Sequence, residues 1–127
     1  MVSHLDKKNS PIMVDVGGKN ITQRIAEAEG EVIFDKNSFK KIESLKSKKG
    51  SIKNIAIIAG IMGAKETSKL MPLCHNIPID AVTIEIIKNI KKNSMKVRAI
   101  VKTSSKTGVE MEALTAVSIS CLTIYDM

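Results

Sequence analysis

The order of apolar patterns along this chain predicts an α+β fold, with an antiparallel sheet and helices packed on one face. Two observations support that prediction. Period-two alternation of apolar and polar residues marks three strands, and buried or amphipathic runs mark the helices between and after them. The order of strand, helices, strand, strand and helix is that of a split β-α-β unit. The length of 127 residues indicates a single domain over residues 1–127.

The first third of the chain begins with a polar stretch. Residues 1–11 end in a proline, so we expect a mobile tail there. A strand is predicted over residues 24–34, where small or apolar side chains alternate with acidic ones. A short helix with one apolar side is expected next, and Gly50 ends it. That side consists of Phe39, Ile42 and Leu45.

The middle of the chain predicts one buried helix over residues 51–70, because its central turns are apolar nearly all round. Within it, Gly60 and Gly63 allow a neighbouring element to approach closely. Pro72 and Pro78 bracket the loop that follows, since proline cannot continue a helix.

The last third predicts a hairpin and a helix. Residues 82–86 and 95–101 alternate with period two, and the polar KKNS between them is a turn. Residues 109–127 have an apolar face that recurs every four residues, as a helix does. One more strand would complete the fold, and we expect it to be missing because the sequence ends after this helix.

The net charge of +7, from 18 lysines and two arginines, has two explanations. A positive surface attracts nucleic acid or a polyphosphate ligand. Alternatively, a lysine-rich composition in a chain also rich in Ile and Asn says little about a partner. The aromatic residues are Phe34, Phe39 and Tyr125, and none lies within a basic cluster as a base-stacking surface requires. Nucleic acid is therefore the less favoured partner.

The sequence predicts neither membrane insertion nor export. The longest apolar run, residues 55–64, holds ten residues, whereas a membrane-spanning helix needs about 20. The first residues lack the apolar stretch of a signal peptide. We therefore expect a cytoplasmic protein, in which Cys74 and Cys121 are reduced thiols.

Several polar residues are candidates for chemistry. Cys74 and His75 are adjacent, but neighbouring side chains in extended backbone point to opposite sides, so we do not expect a nucleophile and base pair. His75 is a candidate for binding or proton transfer, or alternatively a structural loop histidine. The four Cys and His residues do not predict a zinc site. Lys48 and Lys49 precede the buried helix, where they suit a phosphate or form a solvated basic turn.

The stretch KTGVEMEALT, residues 106–115, holds two glutamates. Thr107 and Glu110 match a capping box, which gives Glu110 a structural role. Glu112 lies about 200° round the helix from Glu110 and has no such role. Asp126 is about 21 Å further along the same helix face, so one small ligand cannot reach both Glu112 and Asp126. Either their sites are distinct or a second subunit brings its own helix alongside.

Six motifs follow one another from residue 13 to the last residue. They are MVDVGGK (13–19), KKG (48–50), AGIMGAK (59–65), LMPLCH (70–75), KTGVEMEALTAVS (106–118) and LTIYDM (122–127). Together they closely resemble the cyclic pyranopterin monophosphate synthases, the C proteins of early molybdenum cofactor biosynthesis.

The resemblance implies a ferredoxin-like fold and a lyase activity. The expected reaction rearranges cyclised dihydro-GTP to cyclic pyranopterin monophosphate and releases pyrophosphate, without a metal or an organic cofactor. The resemblance also implies a homohexamer, built as a trimer of dimers with active sites at the dimer interfaces. Neither nucleic acid nor a membrane is an expected partner.

The resemblance also assigns site residues. Asp126 and Lys49 are implied to be catalytic. The residues implied to bind substrate are Leu73, Cys74, His75, Lys65, Glu110, Met111 and Glu112.

The sequence departs from the family after its YDM segment. Relatives continue with a further lysine, the final strand and a Gly-Gly-Lys-Ser-Gly segment. If the protein ends at residue 127, we expect an exposed sheet edge and little activity. Two alternatives therefore stay open: a catalytically defective member of the family that lacks its final segment, and a basic nucleic-acid-binding module.

Overall fold

The computed structural model describes residues 3–127. The strands and long helices that the sequence predicts are all present, together with a small hairpin that it did not predict. In chain order the elements are β1 (Thr22–Ile33), α1 (Lys36–Ile42), β2 (Lys46–Ser47), β3 (Gly50–Ser51), α2 (Ile52–Leu70), β4 (Ala81–Asn89), β5 (Ser94–Ser105) and α3 (Glu110–Asp126).

The main sheet has three strands in the order β1-β5-β4, and β5 is antiparallel to both neighbours. β1 and β4 are therefore parallel to each other with β5 between them, which is the predicted split β-α-β arrangement. α2 and α3 pack against each other and against the sheet, α3 over β1 and β5 and α2 over β4. The α+β class is confirmed and is compatible with a ferredoxin-like fold. Within residues 3–127, the outer edge of β1 pairs with no strand.

Alternation along β5 separates the core from the open face of the sheet. Its inward residues are fully buried under the helices: Met95, Val97, Ala99 and Val101. Burial of such side chains stabilises the fold by about 25 cal/mol per Å² of apolar surface. On the open face, Arg98 donates a hydrogen bond to Glu27 at 2.8 Å and lies 3.7 Å from Glu85. The sheet therefore has one apolar face, covered by helices, and one charged face.

Gly60 brings α2 into close contact with α3 and β4. A Cβ at Gly60 would overlap Ser120 Oγ and Ile84 Cδ1 and would lie 3.0 Å from the carbonyl oxygen of Ala116. At Gly63 an added Cβ would lie 2.9 Å from a side-chain carbon of α3. The close approach predicted from these two glycines is confirmed.

Gly60→Ala is expected to destabilise the protein by about 1–3 kcal/mol, because the added methyl meets packed atoms on two neighbouring elements. Urea denaturation of both proteins measures the change. Gly18→Ala is the control, since an added Cβ there meets nothing within 4 Å. A Gly60→Ala protein as stable as the wild type would contradict the close packing of α2.

The segment between α1 and α2 differs from the prediction. α1 ends at Ile42, and Leu45 has a φ of 58°, so Leu45 does not lie on the helix. β2 and β3 instead form a hairpin. Two local features favour it: the hydroxyl of Ser47 accepts the N–H of Lys49 at 3.1 Å, and Gly50 adopts a φ of 115°, which favours glycine. Lys49 therefore lies in the turn of the hairpin.

The N-terminal segment forms a closed loop within residues 3–16. Leu5 and Pro11 form an isolated antiparallel bridge across it. At its tip, Asp6 Oδ1 accepts the backbone N–H groups of Lys8 and Ser10 at 2.8 and 2.9 Å. This geometry was not expected from the sequence, whereas the mobility of the segment stays a prediction.

Candidate active site

A cavity of about 540 Å³ opens at the N-terminal end of α3. This volume lies within the range of small-molecule sites. Six of the residues predicted to bind substrate line it: Leu73, Cys74, His75, Glu110, Met111 and Glu112. The structure therefore brings together two motifs that lie some thirty-five positions apart in the sequence.

The loop after α2 forms one wall of the cavity. The helix ends at Leu70 because Pro72 cannot continue it. The N–H of Met71 still reaches back to the carbonyl of Thr67 at 2.9 Å, and the N–H of Cys74 then bonds the carbonyl of Met71 at 3.1 Å. These bonds hold the MPLCH segment in a compact turn beside the start of α3.

The start of α3 forms the opposite wall, and its geometry corrects one prediction. Val109 is the N-cap and has no side-chain capping bond. Glu110 is therefore the first helical residue rather than the third, and Thr107 lies two residues before the N-cap. The predicted capping box is not formed, so that prediction is wrong. The hydroxyl of Ser105 donates to the carbonyl of Thr107 at 2.6 Å instead. The Glu110 carboxylate folds over Gly108, where an added Cβ would overlap it.

Glu112 is the buried acid of the site. It is 3% exposed, and its Oε2 has no hydrogen-bond partner among residues 3–127. Burial raises the pKa of the Glu112 carboxyl, and the charge of Glu110 raises it further, against the opposing effect of its own backbone N–H. A carboxyl with a raised pKa and an unpaired oxygen beside a cavity is suited to acid and base chemistry.

The Cys74 thiol lies within weak hydrogen-bonding distance of the backbone carbonyl of His75, at 3.8 Å, and of the carboxylate of Glu112. The Cys74 Sγ atom lies 4.0 Å from Glu112 Oε1, to which it donates a weak hydrogen bond. Burial raises the pKa of the Cys74 thiol, and the negative charge of Glu112 raises it further. A thiol with a raised pKa stays protonated, so this arrangement does not favour a thiolate nucleophile.

His75 and Lys65 both lie beside Glu112. Nε2 of His75 is 2.5 Å from the carbonyl oxygen of Val14. Lys65 does not line the main cavity, but it lines a small adjoining cleft together with His75 and Glu112. The structure therefore places this predicted lysine at the border of the site.

The two residues predicted to be catalytic form a pair at the opposite end of α3. Lys49 Nζ lies 3.1 Å from Asp126 Oδ2 and also donates to the backbone carbonyl of Asp126 at 3.0 Å. Both side chains are exposed, by 57% and 74%. Neither lines the cavity, and the length of α3 separates Asp126 from Glu112 by about 21 Å.

Two residues of the cavity wall lie outside every motif that the sequence singled out. His4 and Pro11, on the N-terminal loop, both line the main cavity. The polar composition of the segment suggested a tail. The signal for a closed turn was Asp6, because an aspartate can accept the backbone N–H groups of residues that follow it, here Lys8 and Ser10.

Residues 3–127 contain neither a metal-binding cluster nor a helix that could cross a membrane. No group of three or more His, Cys, Asp or Glu side chains is arranged to hold a metal ion. None of the helices in this part of the chain has the length and apolar character that crossing a bilayer requires.

Known proteins resemble this chain over nearly its whole length. The family model described as the MoaC family matches residues 13–127. The cyclic pyranopterin monophosphate synthase of Helicobacter pylori strain Shi470 is 51% identical over 126 residues, which are 99% of this chain and 80% of the relative. The protein of the same name from Campylobacter jejuni strain 81-176 has the same identity and coverage. A matched family model and relatives of this similarity are sufficient to assign the family. The chain belongs to the MoaC family.

Proposed function

We propose that this protein is a cyclic pyranopterin monophosphate synthase of molybdenum cofactor biosynthesis. It is a lyase that rearranges cyclised dihydro-GTP to cyclic pyranopterin monophosphate and releases pyrophosphate. The observation that supports this most is 51% identity, over 99% of the chain, to a relative with that name. The substrate derives from GTP, so the cytoplasm is the compartment we assign.

The cavity suits the ring system of that substrate. Apolar side chains such as Leu73 and Met111 provide surface for a flat heterocycle, and Glu110 and Glu112 provide acceptor oxygens. A guanine-derived ring presents N–H donors along one edge, which carboxylate oxygens accept. Among the described residues that line the cavity, none is a lysine or an arginine. We therefore assign the cavity to the ring and not to the triphosphate.

The hairpin end of the molecule suits the triphosphate. This end is rich in lysine, in and beside the hairpin: Lys46, Lys48, Lys49 and Lys53. Ammonium groups bind phosphates as point charges and stabilise the charge that develops as pyrophosphate departs.

The proton transfers of the reaction require acids and bases at both ends of the substrate. Glu112, with its raised pKa, is suited to exchange protons with ring nitrogens during opening of the purine-derived ring and closure of the pterin. Asp126 and Lys49 form a carboxylate and ammonium pair that can accept and donate a proton beside the phosphates. Together these groups supply proton transfer without a metal ion or an organic cofactor.

Within one chain, the cavity with Glu112 and the Lys49–Asp126 pair are too far apart to contact the same ligand. We therefore infer a homo-oligomer in which two subunits share each site. An apolar stripe runs along the exposed side of α3: Met111, Leu114, Leu122 and Tyr125. These residues lie within about 80° of one another round the helix. A second copy packed antiparallel on this stripe would place its Lys49 and Asp126 beside the first cavity. A hexamer would repeat this dimer three times.

The proposed function is tested by incubating the purified protein with cyclised dihydro-GTP and measuring both pyrophosphate and the pyranopterin. Both products are expected in equal amounts, and GTP in place of the cyclised substrate should give neither. A folded wild-type protein that forms neither product would contradict the proposal and favour a catalytically defective member of the family.

A further inference from the structure

The N-terminal loop closes against the cavity that we assign to the substrate ring. His4 and Pro11 both line that cavity, although the loop is more than fifty residues from its other walls in the sequence. The N–H of Ile12 bonds the carbonyl of His4 at 2.9 Å and so joins the two limbs of the loop. The position of His4 therefore depends on the loop being closed.

A single side chain holds the turn of this loop. Asp6 Oδ1 accepts two backbone N–H groups, from Lys8 and Ser10, at 2.8 and 2.9 Å. The N–H of Asp6 also donates to the carbonyl of Ser10 at 2.9 Å. Asp6 itself does not line the cavity. A change at Asp6 therefore acts on the site only through the loop.

The same segment fixes the hydrogen of His75. The carbonyl oxygen of Val14, two residues beyond Ile12, lies 2.5 Å from His75 Nε2. A carbonyl oxygen can only accept, so Nε2 must carry the hydrogen, and the neutral ring has its lone pair on Nδ1. A histidine without such a partner populates both tautomers, and this bond selects one.

We propose that the N-terminal loop contributes two of its residues, His4 and Val14, to the substrate site. It supplies His4 as a residue that contacts the ring of the substrate, and through Val14 it positions His75 with Nδ1 as the acceptor. The role of His4 rests on the proposed function, whereas the tautomer of His75 does not. Around His75, the titratable groups of the cavity and the adjoining cleft are His4, Lys65, Cys74, Glu110 and Glu112.

Kinetics with cyclised dihydro-GTP test the loop. His4→Ala is expected to raise KM about tenfold with kcat within about twofold, because one contact to bound substrate is lost. Asp6→Ala is expected to raise KM about threefold or more, and Asp6→Asn to restore the wild-type value, since the amide oxygen still accepts the two N–H groups. Lys8→Ala is the control, because only its backbone N–H takes part in the turn. Thermal melts establish that each variant is folded.

Nitrogen NMR of the ring of His75, at alkaline pH and without substrate, tests the tautomer. The wild type is expected to show a protonated Nε2 and an unprotonated Nδ1, and Asp6→Ala to show a mixture of tautomers. A wild-type His75 protonated on Nδ1 would overturn the positioning role.

The two proposals fail in distinguishable ways. Wild-type turnover together with unchanged KM in His4→Ala and Asp6→Ala would overturn the part that the loop plays and leave the proposed function standing. No turnover by the wild type would overturn the proposed function and the role of His4 with it. The NMR measurement would still decide the role of Val14.

Discussion

Asp126→Asn is expected to lower kcat for pyrophosphate release by about 10²–10⁴-fold, the usual contribution of a positioned acid or base. Asparagine keeps an oxygen that can accept the bond from Lys49 Nζ, now 3.1 Å from the carboxylate. It has neither the charge nor the basicity of aspartate, so the pairing geometry is retained while proton transfer is lost. A continuous pyrophosphate assay at saturating substrate measures the effect.

The stability of this variant separates a catalytic role from a structural one. Both side chains of the Lys49–Asp126 pair are exposed, so screening by solvent leaves little stability to lose. Glu66→Gln is the matched control, because Glu66 forms an exposed pair with Lys69 at 2.8 Å and lines neither the cavity nor the adjoining cleft. It should leave kcat unchanged. An Asp126→Asn enzyme with nearly wild-type kcat would show that Asp126 is not the acid or base.

Glu112→Gln is expected to lower kcat/KM by about 10²–10³-fold and, at neutral pH, to raise the stability of the protein. Activity falls because an amide cannot exchange the proton. Stability rises because the wild-type protein buries a charged carboxylate, whereas the amide carries no charge and costs about 1–3 kcal/mol less to bury. Urea denaturation and the pyrophosphate assay measure the two effects on the same samples.

The stability gained in Glu112→Gln should depend on pH, because the pKa of Glu112 is shifted upward in the folded protein. The pKa of Glu112 is raised in the folded protein above the ordinary value of 4.5. Stability from the protonated form is therefore present below about pH 4.5 and is lost as the pH rises through the raised pKa. The advantage of Glu112→Gln should grow from pH 4.5 toward neutrality.

Glu110→Gln provides the comparison for this behaviour, because Glu110 is exposed. It should change stability little at any pH. If Glu112→Gln is less stable than the wild type at pH 7, then the carboxylate has a partner and the burial argument fails.

The sheet was the most predictable part of the fold, because its signal is local. Strict alternation along β5 determines which of its side chains face the helices, and every second residue is buried as the pattern requires: Met95, Val97, Ala99 and Val101. The split β-α-β order then leaves few ways to arrange three strands. The helix α2 is equally clear, since Gly60 marks where it packs closely and the prolines that follow mark where it ends.

The differences arise where tertiary contacts override a local pattern. The spacing of Phe39, Ile42 and Leu45 fits a helix, but the bonds of the Lys46–Ser51 hairpin end it early. The Thr-x-x-Glu pattern fits a capping box, but α3 begins two residues later than that pattern requires. A short pattern specifies the kind of structure without fixing the residue at which it begins.

Part of the lining of the cavity was predictable from the sequence, and less of its geometry. Helix geometry separates Glu112 from Asp126 at the level of sequence, and the structure adds that Asp126, at the end of α3, pairs with Lys49 in the turn of the hairpin. The contributions of His4 and Val14 could not be predicted, because they depend on a loop held by one aspartate and on a contact with the distant His75.

The most direct test of a site shared between subunits is complementation between two inactive variants. Glu112→Gln and Asp126→Asn are co-expressed with different tags, and the mixed oligomer is purified and assayed for pyrophosphate release from cyclised dihydro-GTP. In a mixed dimer one of the two sites combines an intact cavity with an intact Lys49–Asp126 pair, so about half of the wild-type activity is expected from mixed dimers and about a quarter from hexamers assembled at random. A mixed oligomer as inactive as either variant alone, beside an active wild type, would contradict a site built from two copies of this chain.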